Sequence, residues 1–258
     1  MSDAFYEPLG DGRYRAGEHT VGPWDPDSQH GGPPSALLAR AIEQEPGAGP
    51  VTIVRVCLDI LGPIPVTEVA VRTRVLRPGR RIELVEAEMT AAGRPALRAQ
   101  AWRVRRADVD LPPAVAGPDD TVPPFPSTAK DFADWSGGYL RAIEWRWVQE
   151  PRPEIGAGTV WGRMRFPLVP DEEPTGLQRV LAVADSGSGV SHRLDPREWL
   201  FVNTELTVHL AAVPRGQWIC LDARTRLDEL GFGLATSRLF DRDRVVGQGA
   251  QSLFVARR

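Results

Sequence analysis

Residues 29–34, Gln-His-Gly-Gly-Pro-Pro, place a histidine and two glycines directly before an apolar run with helical spacing. A helix start has backbone N–H groups without intrahelical acceptors and carries a partial positive charge. Since glycine has no side chain, Gly31 and Gly32 would let a ligand carbonyl approach those N–H groups, as an oxyanion hole requires. Pro33 and Pro34 each remove a donor but preset the helical φ of the first turn. His30 could orient a ligand or simply cap the helix.

Asp185 is the second residue whose type and position suggest chemistry. It ends a predicted helix over residues 175–185 and lies on or beside the apolar face of that helix. A carboxylate in such a place can act as a general base that takes a proton from water. The position also suits an aspartate that only caps the glycine-rich loop after the helix. Thr175 and Gln178 form a capping-box pattern at the start of the same helix.

Other chemistries lack their residue patterns. His192 and His209 have no accompanying Gly-x-Ser-x-Gly elbow. The chain has no His-x-x-x-His or Cys-x-x-Cys spacing, so we expect no metal site. The stretch Gly187-Ser188-Gly189 follows a helix instead of preceding one with a lysine, which argues against a phosphate loop. We therefore expect no cofactor.

The composition is that of an ordinary globular protein, with 258 residues, 42% hydrophobic and 25% charged, and a formal net charge of −3. Because no broad basic field is present, we expect neither a nucleic-acid nor a membrane partner. The acidic N-terminus lacks the apolar stretch of a signal peptide, and no window reaches the roughly 18 apolar residues of a membrane span. Cys57 and Cys220 are predicted to be buried thiols, which favours a cytoplasmic protein.

Helix and strand patterns occur in two similar sets. In the first, a helix over 33–45 precedes strands over 51–61, 68–77, 81–92 and 95–106. In the second, strands over 139–149 and 158–168 precede the helix over 175–185, and strands over 199–211, 216–227, 232–241 and 244–256 follow it. The proline-rich segment 107–137 predicts a linker or a surface excursion. The chain is thus predicted to divide into halves 1–106 and 138–258, each a long helix wrapped by a curved antiparallel sheet.

The two halves can be aligned by sequence. Residues 36–43 match 179–186, and residues 99–104 match 250–255. This alignment places Ile42 opposite Asp185, Pro174-Thr175 opposite Gly31-Gly32, and Gln100 opposite Gln251. Each half therefore lacks one component, and a complete site would combine the glycine-fronted helix of the first half with Asp185 of the second. The match of Gln100 with Gln251 favours a structural role shared by both.

Four stretches resemble the type II acyl-CoA thioesterases, a double hot-dog family. They are residues 29–41, 184–189, 203–210 and 249–255, which lie in the same order and cover both halves. The resemblance implies an α+β double hot-dog fold and hydrolysis of an acyl-CoA to free acid and CoA. It also implies a water-activating set of Asp185, Asn203 and Gln251, with His30, Gly31 and Gly32 at the substrate.

One position departs from the family pattern, because Asn203 stands where threonine is usual and Thr204 follows it. Asn can hold a water by hydrogen bonds, as Thr does. A shift of one residue would make Thr204 the partner, since strand side chains alternate.

Two rival functions follow. One is a catalytically silent acyl-CoA-binding homologue, which the departure at Asn203 keeps open. The other is an acyl-thioester hydratase or dehydratase, which resembles proteins with Asp and His five apart on the helix, whereas residue 190 is Val. With acyl-CoA as the expected partner, we also predict a homo-oligomer, because a curled sheet has an open edge.

Overall fold

The structure is a computed structural model that describes residues 3–47, 49–108, 121–130 and 138–258. A 3-10 helix (Glu18–Thr20) precedes the first α-helix. The α-helices are α1 (Gly32–Gln44), α2 (Gly138–Ala142), α3 (Gly176–Ala184) and α4 (Gly187–Val190). The predicted helices over 33–45 and 175–185 are therefore confirmed as α1 and α3. α1 has 13 residues, the predicted length, whereas α3 has nine, is shorter than predicted and stops before Asp185.

Local chemistry sets the limits of the two central helices. Pro33 lies in the first turn of α1, where its missing N–H costs no hydrogen bond. Pro46 cannot continue the helix, which ends at Gln44. Thr175 Oγ1 accepts from the Gln178 backbone N–H at 3.2 Å, as predicted. The second part of the predicted capping box is wrong, because the Gln178 side chain donates to Glu43 instead.

Strands make up most of the rest of the described chain. The first six are β1 (Tyr6–Gly10), β2 (Arg13–Ala16), β3 (Val51–Ile60), β4 (Glu68–Arg77), β5 (Ile82–Ala91) and β6 (Arg94–Arg105). The others are β7 (Ile143–Arg152), β8 (Ala157–Met164), β9 (Trp199–Asn203), β10 (Glu205–Leu210), β11 (Ile219–Asp228), β12 (Phe232–Phe240) and β13 (Val245–Arg257). The predicted strand 139–149 is wrong at its start, where the chain forms α2. The predicted strand 199–211 is interrupted at Thr204.

All of these strands belong to one antiparallel sheet. Its order is β1-β2-β4-β5-β6-β3-β10-β13-β12-β11-β8-β7, and β9 pairs with β13 beside β10. The centre of the sheet is the pairing of β3 with β10, where Cys57 lies opposite Thr207. The sheets of the two predicted halves are therefore joined edge to edge. We call residues 32–105 the first repeat and residues 176–257 the second repeat.

The pairing register corrects the sequence alignment of the two strand sets. Cys57 pairs with Gln100 in the first repeat, and Thr207 pairs with Ala250 in the second, which is a constant shift of 150 positions. Gln251 is therefore equivalent to Ala101, not to Gln100. A slip of one residue moves a side chain to the other face of a sheet. Gln100 accordingly donates to Glu86, and its proposed shared role with Gln251 is wrong.

The two central helices pack on the same sheet and against each other. α1 contacts β3 to β6, and α3 contacts β8, β11 and β12. A Cβ added to Gly31, before α1, would meet the Asp185 carboxylate, and Glu43, near the end of α1, accepts from Thr175, before α3. Each helix therefore begins beside the end of the other. The core between helices and sheet is apolar, and its largest buried members include Leu37, Leu38, Ile42, Leu58, Met89 and Trp145.

The described part of the proline-rich segment crosses the surface formed by β7, β8 and the second repeat. Phe125 packs edge-on against Trp161 and Trp218, and Trp161 Nε1 donates to Pro124 O at 3.0 Å. Residues 109–120 and 131–137 of the predicted linker lie outside the described residues. Both cysteines are free, Cys220 being buried and Cys57 half-buried. Within the described ranges, no helix combines the length and apolarity that a membrane span needs.

Candidate functional site

A cavity of about 420 Å³ opens where the start of α1 meets the end of α3. Most of its wall is apolar, formed among others by Trp24, Ile60, Ile64, Leu140, Phe201 and Val202. Its polar part includes His30, Asp185 and Asn203, which the sequence predicted as site residues. A largely apolar cavity with a few convergent polar groups is the usual form of a small-molecule site.

Asp185 is the C-cap of α3 and has 6% of its surface exposed. Its Oδ1 accepts from Asn203 Nδ2 at 2.8 Å, and Gln251 Nε2 lies 3.5 Å from the same atom. Its Oδ2 lies 3.2 Å from His30 Nδ1. Three separate parts of the chain therefore meet at one buried carboxylate.

The ends of two helices act on this carboxylate with opposite signs. The end of α3 carries a partial negative charge, which disfavours an anion, and the start of α1 carries a partial positive charge, which favours one. The start of α1 is close enough to matter, because a Cβ on Gly31 would lie 2.7 Å from Asp185 Oδ2. Glycine at position 31 is thus needed to bring the carboxylate against the α1 N-terminus.

Asn203, and not Thr204, reaches the carboxylate. Asn203 ends β9 with its amide directed at Asp185, and its Nδ2 also lies 3.3 Å from Glu205 O. Thr204 is exposed, and its Oγ1 faces Ser252 O at 3.4 Å. Both residues line the cavity, but only the Asn203 side chain bonds to Asp185.

Gln251 fixes the turn that carries Asp185. It is 2% exposed, its Nε2 donates to Asp185 O at 3.0 Å, and its Oε1 accepts from the Ser188 backbone N–H at 3.1 Å. These bonds use both ends of its amide, and the side chain does not line the cavity. The geometry therefore makes Gln251 a residue that positions Asp185 across the α3–α4 junction.

His30 is held between an aromatic ring and two polar atoms. Its ring stacks on Tyr139 at a centroid distance of 3.7 Å. Its Nδ1 lies 3.0 Å from the Gly32 N–H and 3.2 Å from Asp185 Oδ2. With the proton on Nε2, Nδ1 accepts from Gly32, and with the proton on Nδ1 it donates to Asp185. Burial lowers the pKa of His30 more than the Asp185 carboxylate raises it, which favours the neutral ring.

The two glycines differ in what they present to the cavity. Gly31 lines the cavity, and its N–H has no acceptor among the residues that the structure describes. Gly32 does not line the cavity, and its N–H bonds to His30 Nδ1. A Cβ at Gly32 would lie 2.3 Å from Ala182 O, so this glycine permits the close crossing of α1 and α3. The expected pair of free donors is thus reduced to Gly31.

Sequence reasoning missed Tyr139 and Ser186. The fully buried Tyr139 hydroxyl donates to Ala182 O and lies 2.8 Å from Ser186 Oγ, while its ring supports His30. Burial raises the pKa of Tyr139, which keeps the phenol neutral. The pair Gly137-Gly138 before Tyr139 could have indicated a close backbone approach, as it did at Gly31-Gly32. A Cβ on Gly138 would in fact collide with Glu18 O.

The arrangement offers a buried base, an amide beside it and a backbone donor at one end of an apolar cavity. These are the groups that attack of water on an activated acyl group requires. In the described part of the chain, no group of three His, Cys, Asp or Glu side chains is placed to hold a metal ion.

Two protein-family models match the chain in sequence order. The acyl-CoA thioesterase N-terminal domain matches residues 20–104, and the acyl-CoA thioesterase C-terminal domain matches residues 118–255. The second model alone covers more than half of the chain. A search of curated proteins gave no match.

Solved structures share the fold at low sequence identity. A conserved protein of unknown function with a hot-dog fold from Alicyclobacillus acidocaldarius is 15% identical, with a TM-score of 0.76 over 98% of this chain and 97% of its own. A candidate thioesterase II from Thermobifida fusca is 20% identical, with a TM-score of 0.75 over 98% and 95%. The acyl-CoA thioesterase II TesB2 from Mycobacterium marinum is 14% identical, with a TM-score of 0.66 over 98% and 95%. At such identities the likeness shows the hot-dog fold alone.

Proposed function

Because the chain belongs to the acyl-CoA thioesterase family, we propose that it hydrolyses an acyl-CoA thioester to a free acid and CoA, with water activated by Asp185. The observation that carries this proposal is the Asp185 carboxylate, buried at an apolar cavity between the two repeats and held by Asn203 and Gln251. A buried carboxylate next to a hydrogen-bonding amide can accept a proton from water.

Asp185 and Asn203 would hold the attacking water together. The Asn203 Nδ2 donates to Asp185, so its Oδ1 remains as a second acceptor near the carboxylate. A water that donates one proton to Asp185 and the other to Asn203 Oδ1 has its lone pairs free for attack. In this scheme Gln251 touches neither water nor substrate and acts through the position of Asp185.

His30 would stabilise the proton that Asp185 receives. When Nδ1 of the neutral ring carries no proton, it has no hydrogen to offer the ionised carboxylate 3.2 Å away. Once Asp185 is protonated, its new O–H can donate to that nitrogen in place of the Gly32 N–H. The stacking of His30 on Tyr139 holds the ring in the required orientation.

The Gly31 N–H would stabilise the oxygen of the tetrahedral intermediate. It is the N-cap of α1, so the donor lies at the positive end of a 13-residue helix. Water oxygen bonds to the carbonyl carbon, and Asp185 takes the proton. The carbon–sulfur bond then breaks, and Asp185 returns the proton to the leaving thiolate. The acyl chain would lie along the apolar wall that includes Ile60, Leu140 and Phe201.

The proposal is tested by Asp185→Asn, which keeps the size of the side chain but removes the base. We expect kcat/KM for thiol release from acyl-CoA to fall at least about a hundredfold, or about 2.7 kcal/mol of transition-state stabilisation. Asp59→Asn, on the exposed end of β3, is the matched control and should leave kcat/KM unchanged. Unchanged turnover in Asp185→Asn would remove this residue from the mechanism.

The same assay separates the rival functions. Binding of acyl-CoA without release of thiol would indicate a silent acyl-CoA-binding homologue. A hydrated product with its thioester intact would indicate a hydratase. Both outcomes would overturn the thioesterase proposal.

A further inference from the structure

We propose that a second cavity, at the opposite end of the helix pair, binds a carboxylate that carries a short apolar chain. The cavity has a volume of about 270 Å³ and lies where the end of α1 meets the start of α3. It occupies in the first repeat the place that the Asp185 cavity occupies in the second. The two cavities share no lining residue.

Arg103, one of the residues around this cavity, has a buried hydrogen-bond donor without an acceptor in the described part of the chain. This donor is its Nε–H, and the residue is fully buried. Its terminal nitrogens are already used, since they donate to backbone carbonyls at the end of α1 and pair with Glu83 at 2.9 Å. A buried donor left without a partner calls for an acceptor from water or from a ligand.

More donors lie around the same cavity. Arg106 uses its Nε to donate to Thr52 Oγ1 at 2.8 Å, and in the described part of the chain it has no acidic partner. Its terminal nitrogens form the planar fork that fits a carboxylate. The N–H groups of Gly176 and Leu177 begin α3, where no intrahelical acceptor exists. These donors favour a ligand whose polar end accepts hydrogen bonds.

The remaining wall suits a short hydrocarbon chain. It is formed by Ile53, Leu177, Leu210, Val213 and Pro214. The cavity is smaller than the Asp185 cavity, about 270 Å³ against about 420 Å³. A ligand with an acceptor head and a short apolar tail therefore matches the lining better than a wholly polar anion does.

Among the described residues, Glu43 is the one carboxyl that lines this cavity, and its protonation decides whether it opposes a bound anion. It accepts from Thr175 Oγ1 and from Gln178 Nε2 at 2.7 Å. Burial raises the pKa of Glu43, and these bonds together with Arg40 oppose the shift without cancelling it. A protonated Glu43 can donate its O–H to the ligand carboxylate. The other charged residues around the cavity are Arg103, Arg106 and Glu83, which pairs with Arg103.

At the second cavity, the two strand residues that correspond to Asn203 and Gln251 are apolar. By the register of the strands, Ile53 stands where Asn203 is, and Ala101 stands where Gln251 is. Neither side chain can hold water or fix a base. The ligand class is that of the acid released in the proposed reaction, but binding here does not depend on that reaction.

The test is a titration with hexanoate followed by the backbone amide NMR signals of the full chain. We expect saturable shifts at Gly176 and Leu177, which report the second cavity separately from Gly31 and Gly189 at the first. The neutral analogue 1-hexanol should bind the second cavity at least about tenfold more weakly, because it cannot form the charge-assisted bonds. Equal binding of hexanol, or no saturable shift at Gly176 and Leu177, would overturn the proposal.

Three variants assign the binding to named groups. Arg106→Ala should raise the Kd for hexanoate at Gly176 at least about tenfold, and the exposed neighbour Arg105→Ala should not change it. Val213→Trp should fill the cavity and remove the NMR shifts that hexanoate causes at Gly176 and Leu177. In the wild type, the Kd for hexanoate should rise as pH rises through the Glu43 pKa. Glu43→Gln should flatten that pH dependence. Glu45→Gln is the control and should keep it, because the Glu45 side chain bonds to Thr73. An Arg106→Ala variant with unchanged Kd would contradict the assignment.

Discussion

Asp185 depends on residues that are far apart in the chain. His30 and Gly31 come from the start of α1, Asn203 from the end of β9, and Gln251 from β13. None of the three side chains is a sequence neighbour of Asp185, so the carboxylate is placed by the fold and not by local structure. The type of each residue could be read from the sequence, but the face of Asn203 and the true equivalent of Gln251 could not, because both depend on strand register.

Asn203 should contribute to catalysis through its amide. Asn203→Ala removes a hydrogen bond to a carboxylate. We expect kcat/KM to fall, with a loss of about 1.5–3 kcal/mol of transition-state stabilisation. Asn203→Thr, which restores a hydroxyl, should lose less. Thr204→Ala is the control, since the Thr204 hydroxyl bonds to Ser252 O and not to Asp185. A loss in Thr204→Ala as large as that in Asn203→Ala would contradict the assignment.

His30 should make stability depend on pH. Burial lowers the pKa of His30 below its ordinary value of 6.5, so the unfolded chain binds the proton more readily than the folded one. The free energy of unfolding should therefore be at its full value above pH 6.5 and fall as pH drops towards the folded pKa. Urea unfolding from pH 8 to pH 5 should show this fall in the wild type and a smaller fall in His30→Asn.

A control variant isolates this effect from the general response to acid. His209 is exposed on β10, and His209→Asn should retain the wild-type pH dependence. Parallel curves for wild type and His30→Asn would show that His30 does not contribute.

At the scale of elements, the strands were largely predictable and the start of the chain was not. β4 agrees with its predicted limits, because alternating β-branched residues between turn signals indicate a strand directly. β1 and β2 were missed, since Tyr6–Gly10 contains proline and glycine and lacks alternation. Because the sequence alignment placed Ile42 opposite Asp185, it did not indicate that the Glu43 carboxylate lies beside the start of α3.

Gly31 should be intolerant of any side chain. A Cβ at position 31 would meet Asp185 Oδ2 at 2.7 Å and displace the carboxylate from its hydrogen-bond partners. We expect Gly31→Ala to lower the free energy of unfolding by about 1–3 kcal/mol and to lower kcat/KM as well. Gly62→Ala lines the same cavity with no atom within 4 Å of its Cβ and should change stability little. Equal effects of both changes on urea unfolding would refute this reading of Gly31.

At the scale of the whole molecule, the two repeats share one core. β3 pairs with β10, α1 packs on α3, and the buried cluster runs from Phe5 to Val246. The predicted division into 1–106, 107–137 and 138–258 remains a prediction about the chain, as do the homo-oligomer and the cytoplasmic location. Sequence patterns locate such repeats but do not say how much of their surfaces they bury against each other.

The shared core should make unfolding cooperative. We expect one thermal transition, with the calorimetric enthalpy equal to the van't Hoff enthalpy, because neither repeat can lose its structure without exposing the β3–β10 joint. Differential scanning calorimetry makes the comparison. Two resolved transitions would show that the repeats are separately stable.

Because the two repeats lie in one chain, the two ends of the helix pair can diverge in sequence. If the repeats were two identical subunits, every substitution would appear at both ends at once, and a change that improved one would be imposed on the other. Covalent linkage removes that constraint, so Asn203 and Ile53 can occupy matching places with opposite chemistry. A single polypeptide can therefore keep one end for the proposed hydrolysis while the residues at the other end change independently.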